Sequence, residues 1–236
     1  MQANKRACRW RHNGVVSRGT HAYPGAYALH PRAERRQLTV LFCDLADSTR
    51  LAQQLDPEDL REVMRAYQAT CVAVIQRFAW YVAQYLGDGL LVYFGYPQAH
   101  EDDAQRAVRS GLGILEAMGP LNMRLRQGQD VRLAVRVGIH TGLVVVGDMG
   151  SGDRHEHLAL GDTPNLAARL QGLAAPDTVV ISEATARLVQ GYFTCQELGV
   201  QTLKGMDTPV RVSQVVAESG SCTSNERIIR APENQV

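Results

Sequence analysis

The chain has 236 residues, with 25 basic and 24 acidic side chains, a formal net charge of +1 and 45% hydrophobic residues. This composition fits one medium domain with a sizeable core, and the near balance of charge argues against nucleic acid as the main partner. No apolar run approaches the ~20 residues that a membrane helix needs.

The balance conceals an asymmetry. Over residues 1–36, Lys5, Arg6, Arg9, Arg11, Arg18, Arg32, Arg35 and Arg36 face a single acid, Glu34. Residues 1–33 are rich in Gly, Pro, His and Arg and have no hydrophobic period, so they read as a flexible basic arm. The arm is acid-poor, as a mitochondrial transit peptide is, and lacks the apolar core of a secretory signal. Residues 217–236 are polar and aperiodic and read as a tail. The ordered domain is expected over 34–216. Cys8, Cys43, Cys71, Cys195 and Cys222 share no zinc-site or redox spacing, which predicts free thiols in a reducing, cytoplasmic compartment.

Within the domain, the continuous apolar run Leu38-Thr-Val-Leu-Phe-Cys43 predicts a buried strand. Asp56-Pro57-Glu58 opens a helix, with Asp as N-cap and Pro in the first turn. Leu60, Val63, Met64, Tyr67, Cys71, Val74, Ile75 and Phe78 then form a stripe at helical spacing. Short strands over 81–86 and 90–94 flank Gly87-Asp88-Gly89, a hairpin signal. A second long helix is expected over 101–125. Its acidic opening, His100-Glu101-Asp102-Asp103, complements the helix dipole. Strands over 131–139 and 142–147 are separated by His140-Thr141. A helix over 164–173, a strand over 179–181, a short helix over 183–189 and strands over 192–203 and 210–216 complete the series. The order is the ferredoxin-like βαββαβ, extended at its C-terminal end: an α+β fold with helices packed on an antiparallel-rich sheet.

Two aspartates bear on chemistry. Asp44 ends the first strand and Asp88 sits at the hairpin tip. In a ferredoxin-like sheet the first strand lies centrally, beside the hairpin, so the two carboxylates can converge at one edge. Convergent carboxylates without Cys or His suit a hard cation, Mg²⁺ or Mn²⁺, completed by substrate phosphates. A loop-capping Asp and an ordinary turn Asp would read the same way. The following segment, Leu45-Ala-Asp-Ser48-Thr49, leads from a strand toward a helix, a junction whose exposed N–H groups favour a phosphate.

Four segments together carry a family resemblance. Phe42-Cys-Asp44-Leu-Ala-Asp-Ser-Thr49, Leu86-Gly-Asp88-Gly89, Arg136-Val-Gly-Ile-His-Thr-Gly142 and Gly161-Asp-Thr-Pro-Asn165-Leu-Ala-Ala-Arg169 resemble, in order, the signatures of class III adenylate/guanylate cyclase catalytic domains. The flavour is similar to bacterial cyclase domains that precede an ATPase and helical-repeat region, a regulatory region absent from this chain. The resemblance implies that Asp44 and Asp88, with the backbone of Leu45, hold two Mg²⁺ or Mn²⁺ ions per site. It implies that Asn165 orients the ribose and Arg169 steadies charge on the α-phosphate. These two lie four apart and so share one helix face. Arg136 and Lys204 match triphosphate-binding positions, with Ser48 and Thr49 beside them. Two positions depart from the family. Gln84 stands where a purine-reading Lys is usual, and Leu158 where an Asp, Thr or Cys is usual. Gln84 can still hydrogen-bond a base edge; Leu158 cannot.

The resulting expectation is a homodimeric nucleotidyl cyclase. It would convert ATP, in preference to GTP, to a 3′,5′-cyclic nucleotide and pyrophosphate in intracellular signalling. A non-catalytic cyclase-like module that binds nucleotide or dimerises to regulate a partner is the alternative that Gln84 and Leu158 favour. A diguanylate-type enzyme is disfavoured because its glycine–acid hairpin signature is missing. His140, His155 and His157 share no ligand spacing with any cysteine and read as surface or hydrogen-bonding residues. Trp80 reads as packing.

Overall fold

A computed structural model of the chain describes residues 34–78, 82–128, 131–149, 156–203, 205–206 and 208–220. The expected basic arm, most of the expected tail, Trp80, His155 and Lys204 lie outside them.

The first strand, β1 (Glu34–Leu45), is followed by helices α1 (Ser48–Gln54) and α2 (Pro57–Ile75). The hairpin β2 (Val82–Leu86) and β3 (Gly89–Phe94) leads to helix α3 (Asp103–Gly128) and strand β4 (Val135–Met149). Then come β5 (Glu156–Leu160), α4 (Asp162–Leu173), β6 (Thr178–Ser182), α5 (Glu183–Leu188), β7 (Phe193–Gln201) and β8 (Val210–Glu218). The strands form one sheet in the order β2-β3-β1-β4-β6-β8-β7, with β5 paired to β4 off that path. β1 lies antiparallel to both β3 and β4. The segment β2-β3-β1-β4 is the ferredoxin-like core, as the βαββαβ order implies, and β6, β8 and β7 are its C-terminal extension.

Side chains of β1 alternate between two faces, as strand geometry requires. Leu41, Cys43 and Leu45 join the larger core with Val63, Tyr67 and Cys71 of α2 and Ala107, Val108 and Ile114 of α3. Leu38 and Val40 face the other way and pack with Val144, Val146 and Ala167 of α4. Asp44 has the parity of Leu38 and Val40, so it belongs to the α4 face.

Helix α2 starts as its sequence indicates, with Pro57 in the first turn and Glu58 and Asp59 near the positive end of the dipole. Asp56 occupies the N-cap position without a side-chain capping bond. α1 and β5 were not expected as separate elements. α1 uses the short stretch between Asp47 and Asp56, and β5 folds back on β4.

Strand β4 differs most from its sequence pattern. It begins at Val135 rather than Val131, because the side chain of Asn122 takes the place of a strand partner at Leu133. Asn122 Nδ2 donates to the Leu133 carbonyl at 2.8 Å and Leu133 N donates to Asn122 Oδ1 at 2.7 Å. β4 also runs unbroken through His140-Thr141. These polar residues are tolerated because each has partners. His140 Nδ1 lies 2.7 Å from Ser182 Oγ. Thr141 Oγ1 lies 2.9 Å from Thr39 Oγ1 and 3.1 Å from Thr185 Oγ1. Burial pushes the His140 imidazole down to about 4, so it is neutral at ordinary pH.

Candidate active site

Sheet register builds the first part of the site. Asp44 pairs with Gly89 on one side and Arg136 on the other. The hairpin turn is Gly87-Asp88, closed by the Leu86–Gly89 pair, and Gly87 adopts φ +65°. β3 therefore starts at Gly89, one residue earlier than the apolar run suggests, and Asp88 directly precedes Asp44's strand partner. A Cβ at Gly89 would stand 3.4 Å from Asp44 Oδ1, so the absent side chain leaves room for the carboxylate.

The Asp44 and Asp88 carboxyl groups lie within hydrogen-bonding reach of each other. Burial, and next the neighbouring Asp88 charge, push the Asp44 carboxyl up to about 6. The Leu45 N–H, donating to Oδ1 at 3.1 Å, and the charge of Arg136 oppose that rise. Two carboxylates held this close in a half-buried corner repel each other unless a proton or a cation lies between them. The donor set is oxygen only. Among the described residues no group of three or more His, Cys, Asp or Glu is placed to hold a metal. A cation here would take its remaining ligands from phosphate, water or backbone carbonyls, which suits Mg²⁺ or Mn²⁺ rather than zinc. Arg136 contributes more than charge: its Nε is buried with no hydrogen-bond partner among the described residues. Ser48 and Thr49 open α1 just beyond this corner, after Asp47 in the left-handed conformation (φ 57°).

The other part of the site sits on α4. Thr163, Leu166, Ala167 and Leu170 are its buried residues. At 100° per residue, Asn165 and Arg169 project roughly 130° away from the centre of that buried stripe. Asn165 is exposed and Arg169 half-buried. Among the described residues neither makes a hydrogen bond or ion pair with Asp44 or Asp88. The Arg169 guanidinium lies near Gly205, where a Cβ would stand 3.5 Å from Nη2. That places it beside the chain neighbour of Lys204. Helix α4 approaches the sheet closely at Gly138, where a Cβ would collide with the Ala167 carbonyl and the Gln171 backbone, 2.8 Å from its Cα.

The two base-reading candidates occupy strands. Gln84 is half-buried and follows a register irregularity in β2. Leu158 lies in β5 opposite Gly147. One contact escaped the sequence reading. Gln68 of α2 donates from Nε2 to the Gly87 carbonyl at 3.0 Å. It is a polar residue beside the apolar stripe, and nothing in the local pattern marks it.

Residues 31–216 match the family model described as the adenylate and guanylate cyclase catalytic domain. The chain is 28% identical over 186 residues to "Adenylate cyclase 1" of Rhizobium meliloti (strain 1021), covering 78% of this chain and 28% of that protein. It is 30% identical over 171 residues to "Guanylate cyclase 32E" of Drosophila melanogaster, covering 71% and 14%. The chain thus spans under a third of the length of these relatives. Among solved structures, the adenylyl cyclase CyaB from P. aeruginosa superposes with a TM-score of 0.77 at 30% identity, over 80% of this chain and 98% of that one. The guanylyl cyclase Cya2 superposes with a TM-score of 0.77 at 29% identity, over 81% and 97%. Sequence, topology and the paired aspartates agree: the chain belongs to the adenylate and guanylate cyclase catalytic-domain family.

Proposed function

We propose that this domain converts a purine nucleoside triphosphate to a 3′,5′-cyclic nucleotide and pyrophosphate, at sites shared between two copies of the chain. The observation that carries this reading is the convergence of Asp44 and Asp88 beside Arg136, while Asn165 and Arg169 face outward on α4. A second copy, paired head to tail, brings its α4 face to the first copy's carboxylates, and the twofold relation makes two equivalent sites.

In this scheme Asp44, Asp88 and the backbone of Leu45 would hold two divalent cations. When bound, these supply the positive charge that lowers the pKa of the ribose 3′-hydroxyl and offsets the triphosphate. Arg136 directs its guanidinium charge to the triphosphate, with Lys204, Ser48 and Thr49. Asn165 fixes the ribose so that the 3′-oxygen is in line with the α-phosphorus. Arg169 stabilises the charge that grows on the α-phosphate as the bond to pyrophosphate breaks. Gln84 and Leu158 stand at the base-reading positions. With no hydrogen bond from Leu158 to penalise the wrong purine, discrimination is weak and leans to ATP. The setting is cyclic-nucleotide signalling in the cytoplasm, under control of a regulatory region such as the ATPase and helical-repeat type.

The test is incubation of the purified chain with Mn²⁺ and ATP or GTP, with products identified by mass. Cyclic nucleotide from both, with kcat/KM values within about a hundredfold, is expected. Nucleotide binding without turnover would instead make the domain a regulatory module.

A further inference from the structure

The two aspartates are held very unequally. Asp44 lies in a strand hydrogen-bonded on both sides, by β3 and β4. Asp88 sits at the tip of a hairpin whose outer strand, β2, is the edge of the sheet. The register of β2 is irregular between Val82 and Gln84. Tyr85 and Leu86, leading into the turn, are 52% and 39% exposed, and nothing lies within 4 Å of where a Gly87 Cβ would be. Beyond the closing Leu86–Gly89 pair, no further strand holds the turn peptide among the described residues.

We infer that Gln68 is the positioning residue for Asp88: by donating from α2 to the Gly87 carbonyl, it sets where the Asp88 carboxylate stands relative to Asp44. The inference rests on the reading of these aspartates as the cation-holding pair. Gln68 belongs to a helix packed into the core. Its neighbour Tyr67 is fully buried, and Tyr67 Oη lies 3.5 Å from Sγ of Cys43, the residue before Asp44. One helical turn of α2 therefore braces both aspartates, Asp44 from behind through Tyr67 and Cys43, and Asp88 through Gln68. The turn is closed by the Leu86–Gly89 pair, and a further anchor on the Gly87 carbonyl helps to set where the next side chain points. The role calls for a donor of glutamine length. Met keeps the shape and loses the donor; His keeps an N–H at comparable reach.

The experiment uses the full chain and Mn²⁺ alone, titrated by the electron paramagnetic resonance signal of the free ion, alongside hydrogen exchange of the Asp88 and Gly89 amides. Gln68→Met is expected to raise the Kd for Mn²⁺ about three- to fivefold, the scale of one lost hydrogen bond, and to speed exchange at the turn. Gln68→His recovers part of both losses. At saturating Mn²⁺ the kcat of Gln68→Met returns to within about twofold of wild type, so the defect appears in metal dependence and not in turnover. Gln76→Met, at the exposed far end of α2, changes neither reading. If Gln68→Met binds Mn²⁺ and exchanges like wild type, or if Gln68→His is as impaired as Gln68→Met, the positioning role is overturned. If Mn²⁺ binding survives Asp44→Ala combined with Asp88→Ala, the cation reading itself fails, and exchange at the turn alone then judges whether Gln68 holds it.

Discussion

The carboxylate corner and the outward face of α4 are built by different means. At the corner, backbone register does the placing: Asp44, Gly89 and Arg136 are cross-strand partners, and a slip of one residue would send Asp44 to the opposite face. On α4, side-chain packing does the placing: one stripe is buried against the sheet, and Asn165 and Arg169 are what remains outside. The corner concentrates negative charge, with Arg136 as the cation across the strand from Asp44. The helix face presents a guanidinium and an amide, with Asp162 of the first turn three residues before Asn165. On the proposed reading each is half of a phosphate-handling device, and pairing two copies joins the halves.

The largest effects should come from removing either half. Asp44→Ala and Arg169→Ala are each expected to lower turnover by at least ~100-fold while leaving the fold intact. A mixed dimer has one site with both lesions and one with neither. With free exchange about half the dimers are mixed, so an equal mixture recovers roughly a quarter of wild-type activity. Activity assays on the mixture, with exchange verified by mass, check this. No recovery would mean that each chain completes its own site.

A smaller but selective effect is expected from Gly138→Ala. The new methyl group meets the backbone of α4, which cannot yield as a side-chain tip would. A loss of about 2–3 kcal/mol in stability is expected, with turnover impaired and Mn²⁺ binding at the carboxylates within about twofold of wild type. Calorimetry and Mn²⁺ titration separate the two halves in this way.

The corner also carries a cost of its own. The Asp44 carboxyl is raised from its ordinary 3.8 to about 6 in the folded chain. Its contribution is fully present below about 3.8 and is lost as pH rises through about 6. Asn mimics the protonated form at every pH. Asp44→Asn should therefore stabilise the metal-free protein at pH 7.5, by about 1 kcal/mol or ~3 °C once solvent screening of a half-exposed group is allowed for. The gain should vanish below pH 4. Added Mn²⁺ should raise the melting temperature of wild type and not of the variant. Equal melting temperatures at pH 7.5 without metal would show that the two carboxylates are not in conflict.

The smallest effect concerns two aspartates in the left-handed conformation. Asp177 (φ 58°) uses its Oδ1 to accept from Val135 N at 3.2 Å, whereas Asp47 (φ 57°) makes no side-chain capping bond. Asp47→Gly should raise the melting temperature by about 1–2 °C, and Asp177→Gly should lower it, because only the second loses a hydrogen bond.

Much of the corner was legible in the sequence, because a strand followed by Asp44 and a hairpin bearing Asp88 are local patterns. The Asn165 and Arg169 spacing was legible for the same reason. What escaped depends on partners distant in sequence. His140-Thr141 looked like a break because Ser182, Thr39 and Thr185, which satisfy it, lie elsewhere in the chain. Asn122 shortens β4 from the end of a helix. Gln68 reaches a turn 19 residues away. α1 and β5 are short elements whose residues follow no distinctive period.

The bare backbone contact at Gly138 bears on how such a domain can be controlled. Helices that shift in regulation commonly slide by small amounts over a layer of interdigitated side chains. At this crossing there is no such layer, and α4 rests directly on β4. Asn165 and Arg169 are thereby tied closely to the sheet through the α4 backbone. On the proposed dimeric reading, a regulatory input would act between protomers, turning one against the other so that the catalytic gap opens or closes as a joint between two stiff plates.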